Sequence, residues 1–180
     1  MMSHETVYEN SMKMAVVCGM RAALGPALVA VRQRRQDRAL FVAASLGEMV
    51  LDKLNILPSR SRLPLMLPRA AAGYWTADQM FKQEGINDPM AAGMSAAVAA
   101  GTATLAPLVR KILTRVIGIP DSVVGLMEDY LVLRLGCDAT GLTMEEIRDA
   151  AMDALGDVRE KLDDQGIHIP LPQSMGAGSM

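Results

Sequence analysis

Apolar residues run in long blocks along this chain, broken by short polar and basic stretches. Residues 14–31 contain one charge, Arg21, and close on a basic cluster of Arg32, Arg34, Arg35 and Arg38, which reads as a first helix long enough for a membrane span. Residues 39–57 begin as a clean apolar run and then carry Glu48, Asp52 and Lys53 before Pro58 stops them. An Ala-rich third helix is expected over residues 63–80, broken at its start by Pro64 and Pro68. Gly85, Asn87 and Asp88 then mark a turn.

The next block, residues 90–109, has 20 positions without a charge. At ~1.5 Å per residue such a helix matches the ~30 Å hydrocarbon core of a bilayer. Gly93, Ala97 and Gly101 fall four apart on one face, and Gly19, Ala23 and Ala27 repeat the spacing in the first block. Rows of small residues let helix backbones approach closely. An Ala-rich core helix of a soluble bundle is the alternative reading of the same block. After Arg110, Lys111 and Arg115, the pair Gly118 and Pro120 breaks the chain, and residues 121–136 form a further apolar helix bearing Glu128, Asp129 and Arg134.

The C-terminal region differs in kind. Thr143 with Glu146 three residues on is a capping box, and Leu142 is placed to staple against Ile147. Met144, Ile147, Ala151, Leu155, Val158 and Leu162 form a narrow apolar stripe below a face of Glu145, Glu146, Asp149, Asp153, Asp157 and Glu160. Anionic head groups would repel that acidic face, so the stripe is expected to pack on protein, either its own domain or a neighbouring subunit. The Pro- and Gly-containing residues 166–180 read as a flexible tail. The organisation expected is therefore a polar N-terminal segment over residues 1–13, a membrane helical domain over 14–137, an amphipathic helix over 142–165 and the tail.

Two fragments recur. Leu24, Gly25, Pro26, Leu28 and Val29 return as Leu105, Ala106, Pro107, Leu108 and Val109, and Leu46 and Glu48 return as Leu126 and Glu128, at offsets of 80 to 81 residues. Three hydrophobic segments separate equivalent points, so a second copy would enter a membrane reversed, as in the inverted repeats of transporters and channels. Chance similarity in Ala/Leu-rich sequence is the other reading. With five spans the two basic clusters fall on opposite sides, and the positive-inside rule does not choose an orientation.

Composition narrows the function classes. Of 180 residues 51% are hydrophobic but only 3% aromatic, so one domain is expected, held by close contacts between small side chains. The net charge is −2 with basic residues scattered among acids, which argues against nucleic acid as a partner. Cys18 and Cys137 have no second Cys or His at ligand spacing, so no metal or other cofactor is expected. Phosphate loops, dinucleotide fingerprints, nucleophile elbows and HExxH patterns are absent from the sequence, and no enzymatic activity is expected.

The chemistry lies in charges embedded in apolar blocks: Arg21, Lys53, Arg69 and Arg134 against Glu48, Asp52, Glu128 and Asp129. One charge at the middle of a membrane helix costs about 2.5 to 3.5 kcal/mol, so pairing or a wet cavity is required. Glu48 and Asp52 lie one turn apart and need a cation such as Arg21 or Arg69. As a functional site, Glu48, Asp52, Lys53, Glu128 and Asp129 would pass a proton, ion or small solute at the midplane, with Arg21 and Arg69 as partners. As a structural set, the same groups would be ion pairs that fix helix register. A carboxylate acting on a lipid substrate would need a nucleophile or metal that the sequence does not supply.

The element Gly47, Glu48, Asp52 and Lys53, then Pro68 and Arg69 leading into a small-residue helix, Arg110, Lys111 and Arg115, and Pro120 followed by Glu128 and Asp129, resembles an uncharacterised bacterial integral-membrane family, domain of unknown function 4126. The resemblance covers roughly residues 14–136 and implies a multi-spanning protein of the bacterial inner (cytoplasmic) membrane with no established activity. The acidic C-terminal helix departs from that pattern. The fold expected is all-α: a polytopic membrane bundle of four or five short Gly/Ala-rich helices, arranged as an inverted repeat, plus a soluble amphipathic C-terminal helix. Its partners would be the lipid bilayer and either further copies of itself or other membrane subunits. An accessory subunit of a larger membrane complex and a soluble helical oligomer are the rival readings.

Overall fold

The computed structural model describes residues 3–53 and 63–164. The described residues are all-α, in seven helices: α1 (His4–Met20), α2 (Leu24–Arg32), α3 (Arg38–Lys53), α4 (Leu63–Gln83), α5 (Pro89–Arg115), α6 (Asp121–Thr140) and α7 (Met144–Asp164). The loop expected at Pro58 and the tail over residues 166–180 lie outside the described residues.

The first apolar block is not one helix. Ser3 caps α1 by accepting a hydrogen bond from the Thr6 N–H, so much of the polar segment over residues 1–13 is helical, with Val7, Asn10 and Ser11 buried. At its other end α1 stops where Arg21 takes an extended conformation (φ −136°, ψ 103°). Pro26 explains part of the break. It has no N–H for an intrahelical bond, and that loss is harmless only within the first turn of a helix, where α2 holds it. The chain then doubles back over α1 so tightly that a Cβ on Gly25 would lie 2.2 Å from the Cys18 sulfur.

Helix α1 lies between α4, α5 and α6. It runs parallel to α5: the Tyr8 hydroxyl donates to Asp88 at the start of α5 (2.8 Å), while Gly19 at the far end meets Ala99 and Thr102. Asp88 also caps α5 by accepting from the Ala91 N–H. That backbone bond, then the Tyr8 hydroxyl, holds its carboxyl below the usual carboxylate range. Helix α4 runs the other way, with Gly73 against Ala99 and Phe81 against the Tyr8 ring (centroids 5.1 Å apart).

Helix α5 buries Ala91, Ser95, Ala99 and Ala103, whereas Gly93 and Ala97 are exposed. The two rows are two residues out of step, about 200° apart around the helix. A Cβ placed on Gly93 or Gly101 would meet nothing within 4 Å. Within this chain the close-packing row is therefore the one carrying Ser95 and Ala99, and the Gly93, Ala97 and Gly101 row faces outward.

Because α1 ends at Met20, the second half of α5 and the first half of α6 continue past it as an antiparallel hairpin. Gly118 (φ +80°) turns the hairpin, and its outer surface exposes Leu105, Leu108, Ile112, Val116, Leu126 and Tyr130, among others. At the other end of α6, Gly141 (φ +71°) stops the helix in the left-handed conformation. Glu146 accepts from the Thr143 N–H (2.8 Å) and the Glu146 N–H donates back to the Thr143 hydroxyl (3.2 Å), closing the capping box of α7. Leu142 and Ile147 both pack on the core around Leu24 and Leu28. Helix α7 lies antiparallel on α3, burying Ala154 beside Val42, so the first half of its stripe packs on its own chain. Leu155 and Val158 beyond it are exposed.

Among the described residues α5 is the one helix long and apolar enough to cross a membrane.

Candidate functional site

The break between α1 and α2 gathers most of the buried charge. Arg21 leaves it toward α6, where its Nε donates to Asp129 Oδ1 (3.1 Å) and its Nη2 contacts the same oxygen. Both residues are buried, at 4% and 9% exposure. The next two residues act through their backbone. The Ala22 N–H donates to Glu48 Oε1 (3.1 Å) and the Ala23 N–H to Glu48 Oε2 (2.9 Å). Neither alanine has a side chain that could cap α2, so a carboxylate from α3 takes that part and satisfies donors the helix leaves over. It also sits at the positive end of the α2 dipole. Arg69, buried on α4, brings its Nη2 within 3.5 Å of Glu48 Oε1.

Three backbone positions, 21 to 23, thus tie α1, α2, α3, α4 and α6 together through two ion pairs whose charges cancel. Such a pair contributes modestly when complete, but removing one partner leaves the other charge stranded.

The other expected members lie elsewhere. Glu128 is one residue from Asp129 but points off to α5, where Arg110 Nη1 donates to it (3.4 Å). Arg110 also grips Asp121 with Nε and Nη2, at 2.7 Å each. This second cluster clamps the two arms of the hairpin together. Arg134 is exposed on α6, away from both clusters. Asp52 and Lys53 fall at the end of α3, and their side chains lie outside the described residues. Of the seven charged residues proposed as a site in the sequence, Arg21, Asp129, Glu48 and Arg69 surround the fold-back, Glu128 belongs to the hairpin, and the side chains of Asp52 and Lys53 lie outside the described residues.

Of the small residues, Gly19 makes a tight helix contact, with a Cβ there falling 2.5 Å from the Ala99 carbonyl oxygen. Ala23 matters through its N–H. Arg110 stands out in the sequence only as part of a basic cluster, and nothing in linear spacing announces that α6 would fold back onto it. Gly73 and Gly136 were also missed: a Cβ on Gly136 would lie 2.3 Å from Leu28, and small residues at helix crossings carry no mark of their own in a Gly-rich chain.

Three cavities, of about 600, 260 and 360 Å³, are lined by other residues than Arg21, Glu48, Arg69 and Asp129. Among the described residues no three His, Cys, Asp or Glu side chains come together as metal ligands. Chemically the fold-back site can hold charge and hold geometry. Both oxygens of Glu48 and one of Asp129 are engaged by backbone and guanidinium donors. No family model, curated protein or solved structure matches this chain.

Proposed function

We propose that this chain is a non-catalytic subunit of a membrane assembly, seated in the bilayer through α5 and the α5–α6 hairpin. The observation that carries the reading is the exposure of α5. Its most apolar 18 residues have a mean hydropathy of 1.4, yet only 22% of that window is buried within the chain. A core helix of a soluble bundle would be buried, whereas here Met90, Met94, Leu105, Leu108, Val109 and Ile112 face outward. Exposed apolar surface of this extent belongs against lipid or protein. The outward row of Gly93, Ala97 and Gly101 gives a second membrane helix a surface for close approach. That bilayer would be the bacterial cytoplasmic membrane, as the resemblance drawn from the sequence implies.

Passage of an ion or solute through the charge cluster is the weaker reading. Splitting of the charges between two paired clusters supports a structural role, because each acid there is met by a cation or by backbone N–H groups. The test is fractionation followed by native sizing. The chain should stay with membranes through carbonate washing, partition into detergent, and migrate in a complex larger than its own 19.3 kDa plus a micelle. A folded, monodisperse species in plain buffer would overturn the bilayer seat. A solitary chain whose proteoliposome flux disappears in Glu48→Gln without loss of folding would overturn the accessory role in favour of transport.

A further inference from the structure

Between α2, α3, α6 and α7 lies a cavity of about 260 Å³ walled by Leu24 and Leu28, Val42 and Leu46, Leu133, and Ile147. Two polar side chains interrupt this apolar lining. Ser45, 5% exposed as a residue, has no side-chain hydrogen bond among the described residues; Arg148, largely exposed, stands at the α7 side. No acid lines the cavity among the described residues. The nearest counter-charge to Arg148 is its sequence neighbour Asp149, at 3.2 Å, and both side chains are exposed, so that pair can open at little cost.

We propose that this cavity binds an acyl chain, with its hydrocarbon among the leucines and its carboxyl or ester oxygens taken by Ser45 and Arg148. Apolar cavities stay dry and take apolar guests, and one of about 150 Å³ accepts a six-carbon ring. By proportion this one holds about ten carbons. Two donors on a wall without acids select an acceptor head group over an amine. A free medium-chain fatty acid and the end of a lipid acyl chain share this chemistry. The site lies inside the chain's own fold and does not depend on how α5 is seated.

The test is a decanoate titration of the full chain, in nanodiscs or in plain buffer, followed by NMR of ¹³C-methyl methionines. Met49 and Met144 line the cavity, whereas Met90 and Met94 on the outer face of α5 report non-specific partitioning. Saturable shifts confined to Met49 and Met144 are expected. They should disappear in Ala151→Leu, which fills the cavity, or in Ala27→Leu should the first variant fail to fold. Arg148→Gln should weaken decanoate by about 10-fold while leaving decanol unchanged. If Met49 and Met144 sit at the bound position before addition, and solvent extraction recovers acyl chains from the wild type but not from Ala151→Leu, the occupant is a lipid chain. Shifts that never saturate, or that are equal at all four methionines, overturn the site, as does full decanoate binding by the filled variant.

Discussion

The same substitution, glycine to alanine, should act in opposite directions at Gly19 and Gly101. At Gly19 the new Cβ would lie 2.5 Å from the Ala99 carbonyl oxygen and 2.6 Å from Thr102 Cβ. One neighbour is backbone of a 27-residue helix and the other is a β-branched side chain, so neither can swing aside. Overpacking of this kind costs about 1–3 kcal/mol, and a gain in helix propensity of at most about 1 kcal/mol offsets part of it. The gain is small here because Gly19 is the next-to-last residue of α1. A net loss of about 1–2 kcal/mol follows, or a fall in Tm of roughly 2–8 °C for a chain of this size. At Gly101 the Cβ meets nothing within 4 Å and the position is interior to α5, so the propensity gain stands alone at about 0.5–1 kcal/mol of added stability. Circular dichroism melts of wild type, Gly19→Ala and Gly101→Ala as isolated single chains in one detergent, with no second helix on the outward row, decide the matter. The packing of α1 on α5 is refuted if Gly19→Ala melts with or above the wild type. If Gly101→Ala is the less stable of the two, the outward row of α5 is itself packed.

Arg21→Met should cost about 3–5 kcal/mol by stranding Asp129, and adding Asp129→Leu should restore part of it; a double variant no more stable in denaturant than the single one would contradict the pairing. The Glu146 carboxyl is held below its ordinary value, first by the Thr143 N–H and then by the Thr143 hydroxyl. Its contribution to the α7 start is thus present above the unfolded-state value and lost as pH falls through the lowered folded one. Exchange protection of the Thr143 amide should decline in that acid range, and Glu146→Gln should remove the pH dependence. Cys18 is fully buried against Thr76 whereas Cys137 is half-buried near the surface, so maleimide should label Cys137 alone in the native protein; equal labelling would show that α1 and α2 are not closed over Cys18.

Features that act within a few residues were legible along the chain. Gly85, Asn87 and Asp88 announce the turn before α5, and Thr143 with Glu146 the start of α7, because caps and turns depend on local backbone geometry; α6 runs on past the expected residue 136 to Gly141. The all-α class was legible for the same reason. Tertiary structure alone decided which side of α5 packs. A helix of alanine and glycine offers rows of nearly equal apolarity, and the choice of the Ser95 and Ala99 row over that of Gly93 and Gly101 was made by the neighbours α1 and α4. It also decided the pairing of charges. Attraction falls with distance in space and is blind to chain order, so Asp129 meets Arg21 while adjacent Glu128 meets Arg110. The fold-back at residues 21–23 belongs to the same kind, since the carboxylate that stabilises it comes from Glu48, 25 residues away from Ala23.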